Sequence, residues 1–171
     1  MNTRYLWLKI VCGVVLLIFG CVFLIRLLSS PEIDDVSPSI PCDASLLKNN
    51  NVLWVIPLFD NRSIANEPRW CAQIKALNKT LGMHGVYHVY REMSEPRSDS
   101  YFEEGISAFK QCFGFKPVLF KPPQLVISKE NKETLQRLGF KKVYTLSHQR
   151  LHKVYHCNDT GDLPNWMVKW I

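Results

Sequence analysis

Two imidazoles four residues apart, in Met83-His84-Gly85-Val86-Tyr87-His88, carry the clearest chemistry in the chain. On a helix, positions i and i+4 share a face; on a strand running into a turn, Gly85 has the backbone freedom to bring both rings round to one point. Either geometry holds a divalent ion, because zinc accepts imidazole nitrogen readily. A third ligand with one open position would make such a site catalytic rather than structural. Two ordinary polar histidines show the same spacing, so the third ligand decides the matter.

The elements that must position this pair follow from hydrophobic periodicity. Val52-Leu53-Trp54-Val55-Ile56-Pro57 is short, apolar and β-branched, the pattern of a buried strand. Residues Glu67 to Leu81 have Trp70, Ile74, Leu77 and Leu81 at helical spacing, with Asn66 as cap, and deliver the chain to His84. Tyr101 to Phe113 reads as an amphipathic helix bearing Phe102, Ile106, Phe109 and Cys112 and stopped by Gly114. A strand at Pro117–Phe120, a helix from Ser128 to Leu138 closed by Gly139, and a strand at Lys142–Leu146 complete the alternation. Alternating strands and helices predict parallel β/α units, with sites at the C-terminal ends of the strands. The stretch from Ser29 to Pro41, punctuated by three prolines and containing Asp34 and Asp35, reads as a loop or linker.

The 171-residue chain begins differently from the rest. Ile10 to Ile25 is an uncharged apolar run, which predicts a transmembrane signal-anchor over residues 10–29. Residues 1–9 then form a short cytosolic tail and 30–171 a lumenal or extracellular domain, a single-pass type II arrangement in the secretory pathway or at the cell surface. A cleaved signal peptide is the alternative, disfavoured by the length of the run and the lack of an A-x-A site. Three glycosylation triplets begin at Asn61, Asn78 and Asn158, all downstream of the run. Cys42, Cys71, Cys112 and Cys157 are even in number and suit two disulfides with three possible pairings, while Cys12 and Cys21 fall in the anchor. The formal charge of +6 and pI near 9.0 come from scattered lysines and arginines, with no basic helix or nucleic-acid motif, so a nucleic-acid partner is not expected.

The order of several motifs resembles the polysaccharide deacetylase superfamily, in the branch that carries Asp-Asp-Val-x-Pro followed later by His-Gly-x-x-His. Here these are Asp34-Asp35-Val36-Ser37-Pro38 and His84-Gly85-Val86-Tyr87-His88, with Phe102-Glu103-Glu104-Gly105-Ile106, Phe120-Lys121-Pro122-Pro123 and Leu138-Gly139-Phe140 in the family's order. The resemblance implies an α/β fold, a partial and open (β/α) barrel, behind the N-terminal transmembrane helix. It also implies Asp35, His84 and His88 as ligands of one divalent ion, zinc or else cobalt or nickel, with Asp34 as general base. The reaction implied is hydrolysis of N-acetyl groups on an amino-sugar glycan; the alternative is a catalytically inactive relative that binds a glycan or a membrane partner, with Trp70, Tyr87 and Tyr90 as stacking surfaces.

Three departures from the family pattern accompany this reading. Lys121 stands where the family has arginine, and Gln124 where it has an aromatic, which weakens the expected support of Asp34. The strand that normally carries the paired aspartates is expected to be missing or absorbed into the anchor. The later strand that presents a histidine is expected to be absent; His148, His152 and His156 are candidates for its acid by residue type, His156 best placed at a strand end.

Overall fold

The computed structural model describes residues 3–170, so Met1 and Asn2 of the expected cytosolic tail and the final Ile171 lie outside the described residues. Helix α1 (Thr3–Leu28) leads the chain, and within it Trp7–Leu28 is 22 residues long and apolar enough to cross a membrane. At about 1.5 Å per residue that length matches a hydrocarbon core of about 30 Å. Large side chains such as Leu16, Leu17 and Phe19 lie exposed along it, as on a candidate membrane span rather than a core helix.

After α1 come strand β1 (Glu32–Val36), helix α2 (Ala44–Asn49), strand β2 (Val52–Val55) and a small antiparallel pair, β3 (Leu58–Phe59) with β4 (Arg62–Ser63). Helix α3 (Pro68–Ala76), strand β5 (Thr80–His84), helix α4 (Asp99–Phe113), strand β6 (Leu119–Lys121) and helix α5 (Lys129–Arg137) follow. The chain ends with strand β7 (Lys142–Val143), helix α6 (Leu146–Leu151), strand β8 (Val154–His156) and helix α7 (Asn165–Val168). Six strands form one parallel sheet in the order β7-β6-β5-β2-β1-β8. Among the described residues the end strands β7 and β8 do not pair with each other, so the barrel is open along that seam.

Side chains alternate between the two faces of a strand, and here the two faces differ in chemistry. Ile33, Leu53, Val55, Leu81 and Met83 face the helices and join Phe102, Phe109 and Phe113 of α4 in the apolar core. Burying a Phe side chain of this kind stabilises the fold by about 1.5–3 kcal/mol. The hydroxyl of Ser98 caps α4 at the amide of Tyr101, and Gly114 ends the helix at φ 82°, a conformation that disfavours residues with a Cβ. The opposite, concave face carries Glu32, Asp34, Trp54, Gly82, His84 and Lys121. Trp54 lies in register with Gly82, and a Cβ on Gly82 would run into the fully buried indole. Gly82→Ala is therefore expected to cost about 1–3 kcal/mol by overpacking, read as a lowered midpoint in denaturant unfolding.

Several sequence expectations are corrected here. The stretch read as a linker contains β1, a fully buried strand paired with both β2 and β8, so the strand carrying the aspartates is present and central. The late histidine-bearing strand is present too: β8 ends on His156 beside β1. The helix expected over Glu67–Leu81 stops at Ala76, because Asn78 turns left-handed (φ 52°) and Leu81 belongs to β5. Its N-cap is Glu67, Asn66 closing a short 3-10 turn instead. The last strand stops at Val143, since Leu146 starts α6.

Cys42 pairs with Cys157 and Cys71 with Cys112. The first bridge ties the segment after β1 to the end of β8, closing a loop with a sequence separation of 115, and the second joins α3 to α4. In the chain-entropy account a loop near 100 residues is worth about 4–5 kcal/mol. Thiol labelling of unreduced, denatured protein should reach Cys12 and Cys21 alone; labelling of all six cysteines would contradict the pairing.

Candidate metal centre

Adjacent residues on a regular strand point to opposite faces, yet Asp34 and Asp35 both reach the same cleft. The register between β1 and β2 shifts between Ile33 and Val36, and Asp35 takes a left-handed φ of 63°. This bulge turns the second carboxylate inward beside the first. A non-glycine residue with positive φ is uncommon, and His88 is another, at φ 59°. His84 closes β5, and Gly85 at φ 64° reverses the chain so that the ring of His88 returns to that of His84. Of the two geometries open to the pair in the sequence, the strand-to-turn form is the one adopted.

Glu92 holds this turn, and sequence reasoning missed it. Its fully buried carboxylate accepts from the amides of Val86 (3.0 Å), Tyr87 (2.7 Å) and His88 (3.2 Å), and from the hydroxyl of Tyr101 (2.6 Å). Burial, then the hydrogen bond to Glu92, pushes the Tyr101 hydroxyl far above its ordinary pKa, so it stays a donor. A glutamate seven residues after Gly85 and four after His88 is the only sequence signal for this role, and it is a faint one.

The inner ligand atoms converge. His88 Nε2 is 3.0 Å from Asp35 Oδ1, His84 Nε2 is 3.5 Å from the same oxygen, and the two Nε2 atoms are 3.3 Å apart. A tetrahedral ion with bonds of about 2.0–2.2 Å needs its ligands about 3.3 Å apart, so this triangle fits one. Asp35 Oδ1 is buried without a hydrogen bond, as the ligand oxygen of a cation would be. His84 Nδ1 lies 2.9 Å from the Lys121 carbonyl, which can only accept, so Nδ1 carries the proton and Nε2 offers its lone pair. The other oxygen of Asp35 is held by His156 Nδ1 at 3.1 Å and by the Thr160 hydroxyl at 3.3 Å. Burial pulls the Asp35 carboxyl upward, but the hydrogen bond from His156 and the close approach of the His84 and His88 rings outweigh it and hold the group well below the usual carboxylate range.

Asp34 stands beside the triangle, its Oδ2 3.9 Å from His84 Nε2. Lys121 is completely buried and its Nζ lies 2.8 Å from Oδ1 and 2.7 Å from Oδ2 of Asp34. One ammonium thus bridges both oxygens, and the weakened support expected from a lysine in this place is not what the geometry has. Burial disfavours charge on His156, yet the hydrogen bond to Asp35 and the nearby aspartates outweigh it and raise its pKa above the ordinary imidazole value. His156 lines the same cleft, of ≈ 410 Å³, with Asp34, Asp35, His84, His88 and Lys121. His148 and His152 sit elsewhere, around Glu32.

Of the aromatics considered as stacking surfaces, Trp70 packs on Phe113, Tyr87 packs on Tyr101 and donates to Glu104, and Tyr90 is exposed. The bond to Glu104 raises the Tyr87 hydroxyl to about 12. The asparagines Asn61, Asn78 and Asn158 are all exposed, each on a left-handed turn residue (φ 57°, 52° and 62°).

No family model matches the sequence, and no curated protein does. Solved structures do. The polysaccharide deacetylase Bc1974 from Bacillus cereus superposes with a TM-score of 0.52 at 16% identity, over 68% of this chain and 58% of that one. The Bc1960 peptidoglycan N-acetylglucosamine deacetylase gives 0.52 at 12% identity, over 69% and 56%. BA3943 from Bacillus anthracis, a CE4 family pseudoenzyme, gives 0.51 at 11% identity, over 69% and 43%. The chain therefore spans little more than half the length of the first two and less of the third. A parallel sheet with this order of elements, superposing on two named deacetylases and on a pseudoenzyme, identifies the chain's fold as that of the polysaccharide deacetylases.

Proposed function

We propose that the chain is a metal-dependent hydrolase that removes N-acetyl groups from amino-sugar glycans. Asp35, His84 and His88 would hold a divalent ion, zinc or else cobalt or nickel, and Asp34 would be the general base. The observation that carries this reading is the triangle of Asp35 Oδ1, His84 Nε2 and His88 Nε2, with edges of 3.0, 3.3 and 3.5 Å, beside a second carboxylate outside it. When bound, the ion supplies Lewis acidity toward the acetamide carbonyl and lowers the pKa of water.

The chain's own groups do the rest. Asp34 removes the proton of the attacking water, held in position by Lys121. His156, whose contact with Asp35 favours its protonated form, would supply the proton that the departing sugar amine needs. The cleft of ≈ 410 Å³ is in the size range of small-ligand sites, about 300–1,000 Å³. Acetate release from N-acetylglucosamine oligomers tests the reading: it should require added zinc or cobalt and stop on chelation. Metal binding with no acetate from any N-acetylated glycan would refute turnover.

A second reading keeps the fold without catalysis. The observation favouring it is that Lys121 engages both oxygens of the proposed base. Such a protein would bind an amino-sugar glycan in the cleft and leave its acetyl group intact.

For the anchor we propose residues 1–9 in the cytosol, α1 as a signal-anchor, and residues 30–171 in the secretory lumen or outside the cell, glycosylated at Asn61, Asn78 and Asn158. Support comes from the apolar α1 and the exposure of the three asparagines. Glycosidase treatment of protein from eukaryotic cells should increase its gel mobility; an unchanged band, with the domain digested by protease in intact microsomes, would contradict this topology.

A further inference from the structure

Glu32 lies two residues before Asp34 on the concave face and is buried, 2% exposed. Two imidazoles reach it from α6 and its C-terminal end. His148 Nε2 is 2.7 Å and His152 Nδ1 is 3.3 Å from the same oxygen, Oε1. The rings are stacked, with centroids 3.6 Å apart, and all three ligand atoms lie within 4.8 Å of one another.

Each group is prepared as a metal ligand would be. The other carboxylate oxygen of Glu32 accepts from Trp54 Nε1 at 2.8 Å, which fixes the plane of the carboxylate and leaves Oε1 toward the histidines. His152 hydrogen-bonds the Ser30 backbone, while its Nδ1 is buried with no hydrogen bond of its own, facing Glu32 Oε1. Glu32 Oε1 takes a hydrogen bond from His148 Nε2 in this form, and a cation in place of that proton satisfies His152 Nδ1 as well. The Tyr144 ring, edge-on to His148 with centroids 4.1 Å apart, and the buried indole of Trp54 wall the inner side. The side chain of His152 is 28% exposed, so a water can complete the shell.

We propose that Glu32, His148 and His152 bind a second divalent ion, of which zinc best suits two imidazoles and a carboxylate, and that this ion is structural. It joins β1 to α6, the helix that runs between β7 and β8, the two strands left unpaired with each other. The ion does at this seam what strand pairing does in a closed barrel. The inference is independent of the catalytic reading, since it shares no ligand with the Asp35 site.

The test is the zinc content of the full-length chain, purified in detergent from zinc-supplemented cells and passed through gel filtration. The wild type is expected to retain two equivalents, the double variant His148→Gln, His152→Gln one, and the double variant His84→Ala, His88→Ala also one. A wild type that holds none, or a single equivalent that survives His148→Gln, His152→Gln, overturns the proposal. A single equivalent lost in that variant but kept in His84→Ala, His88→Ala supports it and refutes the Asp35 site instead. If the His148→Gln, His152→Gln protein fails to fold, the zinc retained by His84→Ala, His88→Ala decides: one equivalent supports the second site and none overturns it.

Discussion

Asp34→Asn is expected to lower the rate of acetate release by about 10²–10⁴-fold, the usual contribution of a positioned general base, while zinc affinity stays within a few-fold of wild type. The separation follows from the geometry. Asp34 lies outside the ligand triangle, with its Oδ2 3.9 Å from His84 Nε2, whereas Asp35 Oδ1 is one of its three corners. Asparagine keeps the size of the side chain and an acceptor for Lys121, but it cannot take up a proton. It also leaves the buried ammonium of Lys121 without its carboxylate, which lowers stability, so rates belong at a temperature where near-UV circular dichroism shows the variant folded. Equal loss of metal and activity would mean that Asp34 is a ligand rather than a base.

Replacing both His84 and His88 by alanine should weaken zinc binding at the Asp35 site by well over 100-fold, since even groups that only orient ligands are worth about 10–100-fold. Two of the three ligands are removed, and the remaining carboxylate loses the imidazole neighbours that help hold it ionised. Activity should disappear with the metal and should not return at high zinc. Isothermal calorimetry reads the binding; affinity equal to wild type would place the ion elsewhere.

How far the residues alone predict this arrangement differs from element to element. Helix α4 is plain in its body and end, because Phe102, Ile106 and Phe109 recur at helical spacing before a stopping Gly114, although it starts at Asp99, capped by Ser98, two residues before the expected Tyr101. Helix α5 was equally plain between Ser128 and Gly139. Strand β1 was hidden for a physical reason: its inward face is polar, with Glu32 and Asp34 buried against Trp54 and Lys121, so it lacks the apolar run that marks a core strand. The prolines around it then suggested a linker. The bulge that turns Asp35 inward depends on pairing with β2, which no local pattern reveals. The histidine pair was visible from spacing and the aspartates from the family resemblance. Glu92 and His156 act through partners distant in sequence or folded round a turn, and only the tertiary structure brings them to the site.

The central claim is that a metal ion sits between Asp35, His84 and His88. Anomalous diffraction at the zinc edge from crystals of the zinc-loaded chain addresses it directly. The account predicts a peak about 2.0–2.2 Å from Asp35 Oδ1, His84 Nε2 and His88 Nε2. Density without a peak at that position, in crystals whose zinc lies only beside Glu32 or on the surface, would contradict it.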